Sequence, residues 1–267
     1  KGAKRWLDLF FLPRFQPIEI VKPFIIIFLA TILSSEKNIH IYYKYLVSFV
    51  AIIPASFLLM MQPDIGQTLL IFLSWITLVF ISGVSLMVFL TFFGFLVTSL
   101  VYMVFKISKF EYIKNRILSF FNPETGTHNA QAEKSVDGIS SGGFFGKGIG
   151  EGTLKYKGSE VHTDFIISVI SEEFGVVIII LILIIFLFFI YSVFKKVSLE
   201  ENEKIKLVLV GSITLIVAQA LIHVGVNIRL FPTTGMTLPF LSYGGSSIIG
   251  VSILSGIILN LTKRKVS

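Results

Sequence analysis

The sequence has no cysteine, only four histidines and two tryptophans, and few charges: 15% of its 267 residues are Asp, Glu, Lys or Arg. Without cysteine there are no disulfide staples and no thiolate metal sites. Soluble domains carry roughly 25% charged residues, so this shortage argues against an ordinary aqueous fold and for lipid as the solvent. Also missing is any block of like charge with interleaved aromatics, which a nucleic-acid face needs. The formal charge of +7 is instead scattered over polar connections, where anionic lipid head groups or an anionic lipid substrate fit it better. No signal-peptide pattern follows Lys1, there is no internal repeat, and the glycines form no dinucleotide fingerprint.

What the chain has in abundance is apolar length: 54% of it is hydrophobic, with 27 Phe. A bilayer-spanning helix needs roughly 20 mainly apolar residues. Seven stretches qualify: Ile18–Ser34, Tyr43–Met61, Gly66–Gly83, Leu86–Phe105, Phe174–Phe194, Ile205–Ile228 and Ser246–Leu261. Phe174–Phe194 holds no charge, whereas Ile18–Ser34 is short and carries Glu19 and Lys22. The expected fold class is therefore an all-α integral membrane protein. It would be a polytopic bundle of about seven spans, forming one domain, with the long polar segment 106–164 as a large extracytoplasmic loop. Lys263, Arg264 and Lys265 favour a cytoplasmic C-terminus, and Lys195, Lys196, Lys204 and Lys206 agree with it, while Lys1, Lys4, Arg5 and Arg14 vote the other way.

Ionisable residues at membrane depth are functional hypotheses. Glu160-Val-His-Thr-Asp164 lies where the long segment meets an apolar stretch. A partly desolvated carboxylate there suits general-base work, and the same residues also fit capping of the following helix by Thr163 or Asp164. Glu19 and Lys22 share a helix face at i, i+3. Glu172 and Glu173 sit in an apolar stretch, and either pair also fits an interfacial position. Gln62-Pro-Asp-Ile-Gly66 is a tight connection in which Asp64 bonds its own backbone or meets substrate. Residues Phe231–Ser247 hold two Pro, three Gly and six Ser or Thr side chains, an irregular backbone that survives in a membrane only inside protein or around a wet cavity. On the preceding helix Gln219, His223 and Asn227 form a polar stripe at i, i+4, i+8, a pattern that also fits helix–helix glue.

These motifs together resemble the SEDS family (shape, elongation, division and sporulation proteins), in family order along nearly the whole chain. Gly2-Ala-Lys-Arg-Trp6, Gln16-Pro-Ile-Glu-Ile-Val-Lys22 and Gln62-Pro-Asp-Ile-Gly66 match its early motifs, and Arg116, Phe120 and Pro123 echo a fourth. Ser141-Gly-Gly, Gly146-Lys-Gly-Ile-Gly150, His162-Thr-Asp-Phe165 and Glu172-Glu173 follow its long outer loop, and Pro239-Phe-Leu-Ser-Tyr-Gly-Gly-Ser-Ser247 is its late signature.

The resemblance implies ten membrane helices, three of them expected before Lys1. It implies a peptidoglycan glycosyltransferase that polymerises lipid II at the outer face of the bacterial cytoplasmic (inner) membrane, beside a class B penicillin-binding transpeptidase. Thr237 leans toward the division branch rather than the elongation branch. The family's essential acid falls on Asp164, the expected base on the acceptor sugar's 4-hydroxyl. Trp6, Glu19, Lys22, Asp64, His162, Ser242, Gly244 and Gly245 are the substrate-binding candidates. Lys22, an Arg or a divalent cation (Mg or Mn) would meet the leaving pyrophosphate, and no organic cofactor is expected. Ile18, Gly158-Ser159 and Arg229 depart from the family pattern. The rival readings are a carrier that moves lipid II across the bilayer, an elongation-type polymerase, and a non-catalytic scaffold.

Overall fold

The computed structural model describes residues 5–9, 12–35, 40–121, 127–156 and 161–263. Of the sequence readings, Lys1, Gly2, Ala3, Lys4, Pro123, Gly158, Ser159, Glu160, Arg264 and Lys265 lie outside these residues. Every stretch expected to span is helical: α1 (Pro17–Leu33), α2 (Ile41–Met61), α3 (Ile65–Ile81), α4 (Leu86–Lys106), α9 (Val176–Val197), α10 (Glu203–Asn227) and α11 (Gly245–Thr262). Among the described helices α2, α4, α9, α10 and α11 are long and apolar enough to cross a membrane, and α3 is a shorter apolar helix. Before α1 stands a feature that apolar periodicity does not show, an antiparallel hairpin of β1 (Leu7–Leu9) and β2 (Leu12–Phe15), with Leu7 opposite Phe15.

Local chemistry sets the helix ends. Pro17 opens α1, where its missing N–H costs nothing. Asn202 caps α10 by accepting from the Ile205 N–H, and Asp64 caps α3 by accepting from the Gln67 N–H at 3.4 Å. The long polar segment is itself helical: α5 (Glu111–Phe121), α6 (Thr127–Gly142) and α7 (Val161–Asp164) precede α8 (Ile166–Phe174), which abuts α9 at Gly175.

α10 is the central post of the bundle. Of its most apolar stretch 78% is buried, against 6% for α9 and none for α4. Ile26, Leu29, Leu70, Leu78, Leu209, Ile213 and Ile216 make the core where α1 and α3 meet α10. Burying such a side chain stabilises by roughly 1.5–3 kcal/mol against water; in lipid the gain comes from close packing instead. Small residues permit that closeness. A Cβ on Gly250 of α11 would collide with the Glu19 carbonyl of α1, and one on Gly211 of α10 would stand 2.6 Å from Ile26 Cγ2.

Gly250→Leu is therefore expected to push α11 off α1 and lower the thermal midpoint of the detergent-solubilised protein. The same change at Gly256, which has no neighbour within 4 Å of its Cβ position, should leave the midpoint unchanged. Equal midpoints for the two variants would refute the close packing.

Candidate active site

A chain of buried polar side chains runs through the apolar bundle. Glu19 and Lys22 of α1, both 3% exposed, pair at 2.9 Å. Gln67 of α3 donates to the other Glu19 oxygen at 2.5 Å, and Lys22 donates to Gln219 Oε1 of α10 at 3.1 Å. The Gln219 amide donates in turn to the Thr237 carbonyl and hydroxyl at 3.0 and 3.1 Å, and Thr237 Oγ1 lies 2.7 Å from Ser247 Oγ of α11. Charges this deep are tolerable only when paired and hydrogen-bonded. The chain fixes α1, α3, α10, α11 and the irregular 231–244 segment to one another.

Above it, the same segments hold Asp164. Asn227 donates to the Asp164 carbonyl at 3.1 Å and to the His223 carbonyl at 2.8 Å, while its side-chain oxygen accepts from Ser168 Oγ of α8 at 2.7 Å. Ser135 of α6 joins Ser168 and the Asn227 carbonyl. Ser242 donates to the Thr163 carbonyl at 2.6 Å and accepts from the Leu238 N–H, and the Tyr243 N–H donates to the His162 carbonyl at 3.1 Å. His223 Nδ1 donates to the Met236 carbonyl at 2.7 Å. Three consecutive carbonyls, 162 to 164, are thus held from two sides, so the α7 carboxylate is placed by neighbouring elements as well as by its own helix.

That carboxylate has one arginine close by across Gly235. Gly235, at φ +70°, leaves its Cβ position empty: Asp164 Oδ2 is 3.4 Å and Arg5 Nη1 4.0 Å from that point. Arg5 donates to the Gln62 and Pro63 carbonyls and lies 3.6 Å from Asp64 Oδ2, which also accepts from Gln16 at 2.9 Å. Arg116 of α5 donates to the Thr233 carbonyl at 3.2 Å. Burial, and then the neighbouring Arg5 charge, push Arg116 below the ordinary arginine range, and burial pushes Asp64 up against the pull of Arg5. Two guanidiniums, those of Arg5 and Arg116, thus lie near one another, with Arg5 close to Asp164 and Arg116 bonded to the turn that carries Gly235. Among the described residues no three His, Asp or Glu side chains converge as metal ligands.

An apolar groove lined by Trp6, Ile18, Val21, Ala55 and Leu58 leads to Arg5 between α1 and α2, and another between α3 and α4 ends at Tyr112 of α5. On the other side of α8, Glu172 clamps a glycine-rich turn. It accepts from Lys147 at 2.8 Å, from Thr153 at 3.2 Å and from the Leu154 N–H at 2.8 Å. Burial alone would raise its pKa, but these donors and the Lys147 charge bring it down to about 2. Lys155 pairs with Glu173 at 2.9 Å.

The sequence candidates thus divide. Asp164 sits beside Arg5, and Asp64 is tied to Arg5. Glu19 and Lys22 are in the interior, and Lys22, read as a countercharge for pyrophosphate, already has Glu19 and Gln219 as partners. Trp6 is exposed at the groove mouth and His162 is exposed on α7. Ser242 acts on the backbone that carries Asp164, and Gly244 and Gly245 open α11, the former with Thr237 Cγ2 3.1 Å from its Cβ position. Arg229, where the family favours Gly, has a left-handed φ of +59° and lies 3.6 Å from Glu133. Gln67 went unread in the sequence because its partners are on other helices. The Gln219–His223–Asn227 stripe was legible and proves to be the frame of the site.

A helical bundle with membrane-length apolar helices that buries a paired charge chain and holds one carboxylate close to an arginine defines a polytopic membrane protein with a polar centre. The chain belongs to the FtsW/RodA/SpoVE family, described as cell cycle proteins, whose model matches residues 1–266. It is a multi-pass protein of the cytoplasmic (inner) membrane. It is 32% identical to a probable peptidoglycan glycosyltransferase FtsW of Caulobacter vibrioides, over 99% of this chain and 67% of that protein. A Buchnera aphidicola protein of the same name is 35% identical over 97% of this chain and 70% of its own. Among solved structures, one from a peptidoglycan synthase complex that coordinates polymerization and crosslinking superposes with a TM-score of 0.77 at 27% identity. It covers 97% of this chain and 73% of its own.

Lys22→Met should leave the Glu19 charge buried and unpaired, destabilising by roughly 3–5 kcal/mol. The double variant Glu19→Gln/Lys22→Met should recover most of that in thermal unfolding, and no recovery would contradict the pairing. A carboxylate whose folded pKa is depressed stabilises above its unfolded value, and that contribution is lost as pH falls through the folded value. The glycine-rich turn should therefore resist proteolysis at neutral pH and open as pH drops from about 4.5 toward about 2. Glu172→Gln should open it at pH 7 in the same cleavage assay.

Proposed function

We propose that this chain carries the polymerising centre of a division-type peptidoglycan glycosyltransferase, acting on lipid II at the outer face of the cytoplasmic membrane. The observation that supports it best is the approach of Asp164 and Arg5 to the same point beside Gly235, with Arg116 of α5 bonded to the Thr233 carbonyl of that turn. Relatives named peptidoglycan glycosyltransferase FtsW across nearly the whole chain support the same activity.

The reaction asks for a base, a countercharge and room for two lipid tails. Asp164 takes the proton from the acceptor sugar's 4-hydroxyl as that oxygen attacks the donor's anomeric carbon. A new C–O bond forms, the bond from that carbon to the lipid pyrophosphate breaks, and configuration inverts in one displacement. The departing pyrophosphate carries the negative charge, and Arg5 and Arg116 are the cations placed to meet it. The two apolar grooves flanking this cluster accommodate the donor and acceptor tails. Asn227, Ser242 and the Tyr243 N–H position the base without touching the reacting atoms. A class B penicillin-binding transpeptidase is the proposed partner, in keeping with the solved complex that couples polymerization to crosslinking.

Asp164→Asn keeps the size of the side chain and removes the base. With the transpeptidase co-purified and lipid II supplied, the variant is expected to lose glycan synthesis on gels by about 100-fold or more, with unchanged size-exclusion behaviour. Turnover retained in a folded variant would exclude Asp164 as the base. Loss of glycan with transport of lipid II intact in vesicles would favour a carrier.

A further inference from the structure

The turn clamped by Glu172 presents four large apolar side chains outward: Phe144 is 75%, Phe145 86%, Ile149 80% and Tyr156 82% exposed. They cannot fold inward, because the backbone beneath them is zipped to the α8–α9 junction. Lys147 and Gly148 N–H donate to the Glu172 and Glu173 carbonyls at 2.9 and 3.1 Å, while Val176 and Val177 N–H donate to the Gly143 and Phe144 carbonyls at 3.0 and 3.4 Å. Gly142, Gly146 and Gly175 allow this contact, since a Cβ on any of them would collide with the Ser171, Glu173 or Phe144 carbonyl. A rigid apolar tip is thereby fixed against the first turn of α9.

The level of that turn identifies what covers the tip. α9 has 22 residues, about 33 Å at 1.5 Å per residue, against a hydrocarbon core of about 30 Å. Its first turn therefore stands at the boundary between hydrocarbon and head groups, the zone where aromatic side chains concentrate. Val177, Ile180, Leu181, Ile184 and Leu187 of the same helix are exposed, so the tip continues a lipid-facing surface. Lys147, 35% exposed at its side chain, adds a cation at head-group height.

We infer that the Phe144–Phe145–Ile149 tip is a membrane-interface anchor, seated in the head-group region of the leaflet on the Asp164 side. Through Glu172 and α8 it ties the height of the Asp164 segment to the bilayer surface. The 267 residues contain no cysteine, so the test is a nitroxide on Phe145→Cys, and separately on Ile149→Cys. The full-length protein would be studied in vesicles of phosphatidylethanolamine and phosphatidylglycerol, with Leu187→Cys as the lipid reference and Glu201→Cys as the aqueous one. Collisions with oxygen and with a water-soluble nickel chelate report depth. Both tip labels are expected to shift toward the Leu187 ratio, at a shallower depth. A ratio matching Glu201 would overturn the anchor. So would labels that neither reagent reaches, which would mean that protein covers the tip.

Discussion

Everything in this bundle depends on how one ammonium is satisfied. Lys22 lies in a region with almost no water, and its charge is met by Glu19 one turn away and by Gln219 on the central helix. Because each partner is bonded onward, to Gln67 and to Thr237, the requirement propagates through four helices and one irregular segment. Apolar contacts between membrane helices are weakly selective, as lipid tails are good substitutes for side chains. Polar partners are not replaceable in that way. The ionic chain therefore acts as the register of the bundle, and the close glycine contacts at 211 and 250 let the helices come near enough to complete it.

The reactive end grows out of the same register. Residues 231–244 take their lower bonds from Gln219 and His223 and give their upper ones to the backbone of residues 162 and 163, while Asn227 bonds residue 164 directly. The base is thus connected to the buried charges through a few hydrogen bonds, with little loose chain between. This explains how a site on a long polar excursion is kept in place: α10 and the 231–244 segment both bond to its carbonyls, and α6, α7 and α8 make the excursion a packed cap.

Much of this was legible in the residues. Apolar run length gave the helices, since a span has little freedom in how it can be written. The acid at the boundary, the Glu19–Lys22 pair and the polar stripe on α10 were visible as polar groups where such groups are expensive. The β1–β2 hairpin was not, because two strands of three and four residues leave no readable alternation. Nor were the Gln67–Glu19 and Lys22–Gln219 contacts, which span 48 and 197 residues of sequence. The bond from Ser242 to the Thr163 carbonyl was hidden for a related reason, as its acceptor lies 79 residues away in sequence.

The exposure of α4 has an evolutionary consequence. With no buried residue, this helix packs on its neighbours through a few side chains such as Phe92 against Phe49 and Trp75, so on its lipid side neutral drift can exchange Phe, Leu, Val and Met among themselves with little selection against it. α10, buried along most of its length and bonded at 219, 223 and 227, has few such exchanges open to it. Two helices of similar hydropathy in one chain are thus set to diverge at very different rates.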